Sequence, residues 1–301
     1  MKACLPIARR GDVSLYSASL MKFIRTAITR SAFAIAFGLS ASLASAQPAT
    51  NPPAVKSWSG DLRVQSRAYV FTNTGESLPY AVFVSTKVAK DKPAPLVVAL
   101  RGYGGNPGSF MWGPALQLAE AGGYIMAAPI GYNSGGNFGN PTTGMGAFAR
   151  RNGASTNAPG APELSKVSEY SEQDVMNVLA IVRKEFNIDA HRIYLMGHSQ
   201  GGAGALHIAD KYSSIFAGVA GLSPGAPGYQ LDANAKFKDV PILILAGDKD
   251  GFLESVHRLD ERMKSLNIAH TYQELPGFDH GSIVMGGMTN VFQFFNQHQK
   301  R

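Results

Sequence analysis

The chain has 301 residues, of which 45% are hydrophobic, 16% charged and 10% aromatic, with a formal charge of +7. That composition excludes a disordered polar chain, and no collagen period, heptad pattern or solenoid-length repeat is present. Much of the positive charge sits in residues 1–46 (Lys2, Arg9, Arg10, Lys22, Arg25 and Arg30 against Asp12); the remainder has 22 basic and 20 acidic residues, so nucleic acid is not an expected partner.

Residues 1–46 read as an export signal. Lys22, Arg25 and Arg30 precede an apolar run at 31–43, and Ala44-Ser45-Ala46 is a small-residue site that predicts cleavage after Ala46. Met21 is a more natural start for this signal than Met1. The apolar run is short for a bilayer span, so no stable membrane anchor is expected, and the mature chain is predicted to be secreted or periplasmic. Cys4, the only cysteine, lies in the removed region. A cysteine nucleophile, a cysteine metal site and a disulfide framework are thereby excluded from the mature chain.

Residues 47–64 form a lead-in, rich in Pro, Ala and Asn over 47–56. Residues 65–301 read as a single α/β domain. Runs at 66–71 and 78–85 around Thr72-Asn73-Thr74-Gly75-Glu76 predict an N-terminal antiparallel hairpin. The continuous apolar run 95–100 predicts a central parallel strand. A helix is expected over 112–121 and a strand over 124–129. Residues 130–169 lack periodicity and read as a long loop shaping a cleft. Ser171 is expected to cap a helix reaching Phe186, with Asp174 as its capping-box partner. Strands are then predicted at 192–196, 217–222, 241–246 and 271–275. Helices are predicted at 200–212, 252–266 and 289–298. Such alternation predicts a doubly wound, mostly parallel sheet.

Gly197-His198-Ser199-Gln200-Gly201 is a G-x-S-x-G motif directly after one predicted strand and opening a helix, the context of a nucleophile elbow. Side chains at 197 and 201 are expected to collide with neighbouring elements. The turn places the Ser199 hydroxyl at a helix N-terminus, where free N–H groups favour negative charge. A serine nucleophile needs a base, and the base an orienting acid, in the order Ser, acid, His. Asp248 and Asp250 both follow the strand at 241–246; the G-x-x-D spacing favours Asp250 as the acid and leaves Asp248 as a turn residue. Among seven histidines, His280 lies just past the last strand, where its loop returns over Ser199. His191, His207, His257, His270 and His298 fall on other elements, and His198 is expected to point away from Ser199. The glycine loop Arg101-Gly102-Tyr103-Gly104-Gly105 follows the strand at 95–100 and is placed for an oxyanion hole, with the N–H groups of Tyr103 and Gln200 as donors. This chemistry requires no cofactor and no metal.

RGYGG at 101–105, SEQDV at 171–175, RIYLMGHSQGG at 192–202, GDKD at 247–250 and DHG at 279–281 resemble the α/β-hydrolase superfamily. Within it they are most similar to secreted esterases and depolymerases of the polyhydroxybutyrate-depolymerase-like and feruloyl-esterase-like kind. The resemblance covers roughly residues 65–298 and implies the α/β-hydrolase fold. The family usually carries His where this chain has Arg101. The resulting expectation is a secreted serine hydrolase acting on a small-molecule or polymeric carboxylic ester. Amide cleavage by the same residues, as in a peptidase or polyamide depolymerase, is an alternative, and a non-catalytic binding protein of this fold is another. Arg101, Lys249, Arg150 and Arg151 are the basic groups placed near the expected cleft, with Tyr103, Trp112 and Phe148 as an aromatic wall, which raises the expectation of an anionic substrate.

Overall fold

A strand that is apolar along its whole length needs cover on both faces, and β3 (Ala94–Leu100) is buried at every position. In the computed structural model, residues 56–140, 164–224, 231–235 and 237–300 are described, all within one compact unit that spans Ala49–Arg301. Eight strands form one sheet in the order β1-β2-β4-β3-β5-β6-β7-β8. Strands β1 (Val64–Val70) and β2 (Ser77–Val84) make the antiparallel hairpin, and β2 also pairs antiparallel with β4 (Ile125–Pro129). From β4 through β3, β5 (Ile188–His198), β6 (Gly218–Leu222), β7 (Ile242–Gly247) and β8 (Thr271–Leu275) every pairing is parallel.

The period-2 alternation of side chains splits the core in two. Leu96, Val98 and Leu100 of β3 face one layer with Val175, Val178 and Val182 of α2 (Leu164–Glu185), Leu206 of α3 (Gln200–Lys211) and Val256 of α4 (Leu253–Ser265). Val97 and Ala99 face the other layer, with Leu116 of α1 (Gly113–Gly122) and Phe292 and Phe295 of α6 (Met288–Gln297). Between the last strand and α6 lies the short α5 (Ile283–Gly286). Each fully buried Val, Leu or Phe contributes roughly 1.5–3 kcal/mol. The parallel strands therefore hold a rigid edge at their carboxyl ends, where loops collect. Among the described residues, no helix is long and apolar enough to cross a membrane.

Three expectations need correction. Helix α2 begins at Leu164, so the irregular stretch is shorter than 130–169; residues 141–163 lie outside the described residues. Ser171 and Asp174 are consequently interior to α2 and cap nothing. The Ser171 hydroxyl instead accepts from the Phe138 N–H at 2.7 Å, and the Asp174 carboxylate accepts from the N–H groups of Gly131 (2.7 Å) and Tyr132 (3.1 Å) and from the Tyr69 hydroxyl (2.6 Å). These groups satisfy the loop after β4 rather than a helix end. Strand β5 starts at Ile188, earlier than 192, because a register shift between Ala94 and Leu96 absorbs the polar stretch around His191.

Helices α2 and α3 are tied together by Glu172, whose side chain is only 11% exposed. It accepts from Lys211 Nζ (2.6 Å), the Tyr212 hydroxyl (2.7 Å) and His207 Nε2 (3.1 Å). Burial pushes its carboxyl up, but these donors outweigh burial and hold it down to about 2. Glu172→Ala leaves the donors without their acceptor and is expected to cost about 2–4 kcal/mol in urea denaturation. Arg258→Ala removes an exposed i,i+4 pair with Glu254 and is expected to cost less than about 0.5 kcal/mol in the same assay.

Candidate active site

The turn from β5 into α3 carries Ser199 at φ 54°, ψ −118°. A Cβ on Gly197 would lie 2.0 Å from the Gly201 carbonyl oxygen, and one on Gly201 would lie 2.2 Å from the Leu100 oxygen and 2.3 Å from the Arg101 oxygen. Both glycines are therefore sterically required, as the motif suggested. The Ser199 N–H donates to Leu222 O at 2.9 Å, anchoring the turn to β6.

Ser199 Oγ lies 2.9 Å from His280 Nε2, and His280 Nδ1 lies 3.0 Å from both carboxylate oxygens of Asp250. The fold thus brings the three residues into one line. Asp250 is held just past β7 by its N–H donating to Gly247 O (3.1 Å), while its Oδ1 accepts from the Phe252 N–H (2.8 Å). Its side chain is fully buried. Burial raises its carboxyl, but the nearby Ser223 hydroxyl, which falls short of full hydrogen-bond geometry, the Phe252 N–H and His280 together outweigh this and hold it below the ordinary carboxylate range. An ionised Asp250 accepts the Nδ1 proton, which assigns the tautomer that leaves His280 Nε2 as acceptor for the Ser199 hydroxyl. Asp248 is exposed and accepts the Gly277 N–H at 2.6 Å, tying the acid turn to the loop that carries His280.

Gln200 opens α3, where backbone N–H groups lack intrahelical partners. Tyr103 sits in the loop after β3, and Gly104 at φ 72° lets that loop turn back so that its N–H donates to Ser134 O. A cleft of about 440 Å³ joins this loop to Ser199 and His280. Its aromatic walls are Tyr103, Phe110, Trp112 and Phe252, with Val284 beside them, and among the described residues no Asp, Glu, Lys or Arg lines it. The ring of Phe252 meets the His280 imidazole edge-on at 4.7 Å.

Two of the basic groups expected at the cleft, Arg101 and Lys249, are placed otherwise. Arg101 is 1% exposed and turned into the protein, because its guanidinium is spent on backbone carbonyls and the Gln200 side chain. Lys249 is exposed and outside the cleft lining; the acid turn aims Asp250 inward, and its neighbour faces solvent. Trp112 does line the cleft, at its rim and half exposed. Phe148, Arg150 and Arg151 lie outside the described residues. Among the described residues no group of three or more His, Cys, Asp or Glu could hold a metal ion.

His198, expected to point away from Ser199, reaches the loop that carries His280. Its Nε2 lies 2.6 Å from the backbone carbonyl of His280, and the two imidazoles are 4.7 Å apart. Burial, aided by the neighbouring His280 ring, pushes the His198 imidazole down to about 4. Neutral His198 therefore carries one proton, which the His280 carbonyl places on Nε2. The x position of G-x-S-x-G was the available signal, but only the fold shows what its side chain reaches.

The chain matches the model of the Esterase family, described as "Putative esterase", over residues 74–282. Its fold is similar to an S-formylglutathione hydrolase from Agrobacterium tumefaciens (20% identity, TM-score 0.59, covering 78% of this chain and 94% of that one). It is likewise similar to a ferulic acid esterase from Anaeromyces mucronatus (20% identity, TM-score 0.58, covering 76% and 89%). A thermostable esterase is similar at 22% identity and TM-score 0.55, covering 79% of this chain; the chain spans 64% of that protein's length. The sheet order and these likenesses define an α/β-hydrolase fold. The chain belongs to the Esterase family, a family of carboxylic ester hydrolases.

The His198 shift makes a prediction with a definite sign. As pH falls below about 6.5 the unfolded chain takes up the His198 proton, whereas the folded chain does so only near 4. The unfolded state binds more protons across that window, so this contribution to stability is lost as pH falls through it. His198→Gln removes the contribution, and the stability difference between wild type and variant is expected to change by about 1–2 kcal/mol between pH 7 and pH 5. Thermal melts of both proteins in that range check it; parallel melting curves would contradict it.

Proposed function

We propose that this protein is an exported serine esterase in which Ser199 is the nucleophile, His280 the general base and acid, and Asp250 the group that orients and stabilises His280. The single observation that supports this most is the aligned Ser199–His280–Asp250 hydrogen-bond chain at the floor of the cleft. Ser199 Oγ attacks the ester carbonyl carbon as its proton passes to His280 Nε2. The carbonyl oxygen becomes an oxyanion held by the backbone N–H groups of Tyr103 and Gln200. The C–O bond to the alcohol then breaks, His280 returns the proton to the leaving oxygen, and an acyl-Ser199 ester remains. Water attacks the acyl carbon as its proton passes to His280 Nε2; the bond to Ser199 Oγ then breaks, the acid leaves, and His280 returns the proton to Ser199 Oγ.

The substrate read from the cleft is an ester with neutral, apolar or aromatic groups beside the scissile bond. Four aromatic side chains, with no Asp, Glu, Lys or Arg among the described lining residues, favour this over an anionic substrate. The half-exposed Trp112 at the rim is compatible with either a small ester or the end of a polymer chain. Export rests on the basic, apolar and small-residue pattern at 22–46, which lies outside the described residues.

Ser199→Ala is expected to lower turnover about 10^4-fold or more while leaving the melting temperature near wild type. Asp250→Asn is expected to be far more damaging than Asp248→Asn, because an asparagine at 248 still offers an oxygen to the Gly277 N–H. Rates on p-nitrophenyl esters and an intact-mass shift with a fluorophosphonate, localised to Ser199, measure both; equal losses at 248 and 250 would reject the acid assignment. A neutral aromatic ester is expected to have a kcat/KM equal to or above that of its carboxylate-bearing analogue at low salt. A marked preference for the anion would reject the neutral-substrate reading.

A further inference from the structure

Arg101 is the largest fully buried side chain in the described protein, and the proposed reaction makes no use of it. A guanidinium in such a place needs its donors satisfied. Its Nε donates to Ile130 O (2.8 Å), one terminal nitrogen to Gly102 O (3.0 Å) and Gln200 Oε1 (3.3 Å), and the other to Gly136 O (3.1 Å) and Asn133 O. Phe138 lies against it, 5.0 Å from ring centre to guanidinium carbon. Burial pulls Arg101 down to about 10, so it remains charged at neutral pH.

These partners are not scattered. Gly102 adjoins Tyr103, and Gln200 adjoins Ser199, so one planar fork spans the two segments whose N–H groups face the carbonyl oxygen in the proposed reaction. The other donors clamp the loop 130–136 from its carbonyl side, while Asp174 accepts the N–H groups of Gly131 and Tyr132 in the same loop. Arg101 and Asp174 lie on opposite sides of that loop with no hydrogen bond between them; burial still raises the Asp174 carboxyl, and the Arg101 charge works against that rise. The arrangement has a rigid polar scaffold on one side of the oxyanion position and the strained elbow on the other.

We propose that Arg101 is a positioning residue for the oxyanion site, setting the spacing of the Tyr103 and Gln200 N–H groups from behind, with Asp174 as its remote counter-charge. This rests on the serine esterase reading. A fork with fixed planar geometry can bridge two segments at once, which a lysine ammonium, a single point charge, does not reproduce. The contribution is made in the transition state, where the oxygen carries charge, and little in the ground state.

The test compares wild type, Arg101→Lys, Arg101→Met and Gln200→Met for kcat and KM on a p-nitrophenyl ester, and for inhibition by phenylboronic acid, whose tetrahedral serine adduct places an oxygen in the same position. Arg101→Met is expected to lower kcat about 10²–10³-fold with KM within about 3-fold, and to weaken phenylboronic acid by more than about 10-fold. Arg101→Lys is expected to recover only part of this. Gln200→Met keeps the backbone N–H and removes one arm of the fork, so a kcat loss of about 3–10-fold at unchanged KM is expected. If Arg101→Met does not fold, Gln200→Met and Arg101→Lys decide the matter. Folded variants with wild-type kcat and boronate affinity, or with kcat and KM disturbed only in step with a lowered melting temperature, would overturn the proposal. Fluorophosphonate labelling of wild-type Ser199 separates the two ideas: labelling with silent variants removes the role of Arg101 alone, whereas no labelling removes the esterase reading beneath it.

Discussion

Ser199 occupies a backbone conformation, φ 54° and ψ −118°, that neither the strand before it nor the helix after it shares. Holding a non-glycine residue there costs on the order of 1–3 kcal/mol, which the surroundings must offset. The Ser199 N–H is tied to β6, and its carbonyl accepts the Ala203 N–H to start α3. Because Gly201 has no Cβ, α3 can begin against the carbonyls of Leu100 and Arg101. That contact makes the end of β3 and the first turn of α3 immediate neighbours. The loop after β3, the start of α3 and the serine hydroxyl consequently share one small volume at the carboxyl edge of the sheet.

The ionic groups around this volume are sorted by what each can bond. Asp250 is buried yet stays low because the nearby Ser223 hydroxyl, the Phe252 N–H and the imidazole of His280 face it. His280 is held from both sides, by Asp250 at one ring nitrogen and through its backbone carbonyl by His198. Arg101 and Asp174 are also buried, and each is satisfied by opposite ends of peptide groups in the 130–136 loop. In a low-dielectric interior such groups hold one geometry, since any displacement leaves a desolvated donor or acceptor without a partner.

The cleft itself is made of different material. Its walls are aromatic, and the cations that neighbour it in sequence either turn inward, as Arg101 does, or outward, as Lys249 does. Proximity along the chain to a reacting residue is thus a poor guide to the charge a substrate meets. Membership in the Esterase family identifies the bond cleaved as an ester and says nothing of the groups on either side of it. The similar solved structures, at 22% identity or below, share the fold and leave the choice of ester to this chain's own lining residues.

The sequence by itself determined what depends on local chemistry and period. Continuous apolar runs such as 95–100 marked buried parallel strands, and Gly197 and Gly201 around Ser199 marked a turn that tolerates no side chain on either side. Asp250 and His280 were legible because each follows a strand at the edge where loops gather. The tertiary structure alone decided where side chains point. Ser171 and Asp174 had the spacing of a capping box, but α2 runs through them, and loop N–H groups distant in sequence claim their oxygens. Arg101 looked available to substrate until partners 29 to 99 residues away closed around it. His198 likewise acquired its role from a carbonyl 82 residues further on. A backbone turn is dictated by the residues in it, whereas the direction of a long polar side chain is dictated by whichever buried donor or acceptor the fold brings within reach.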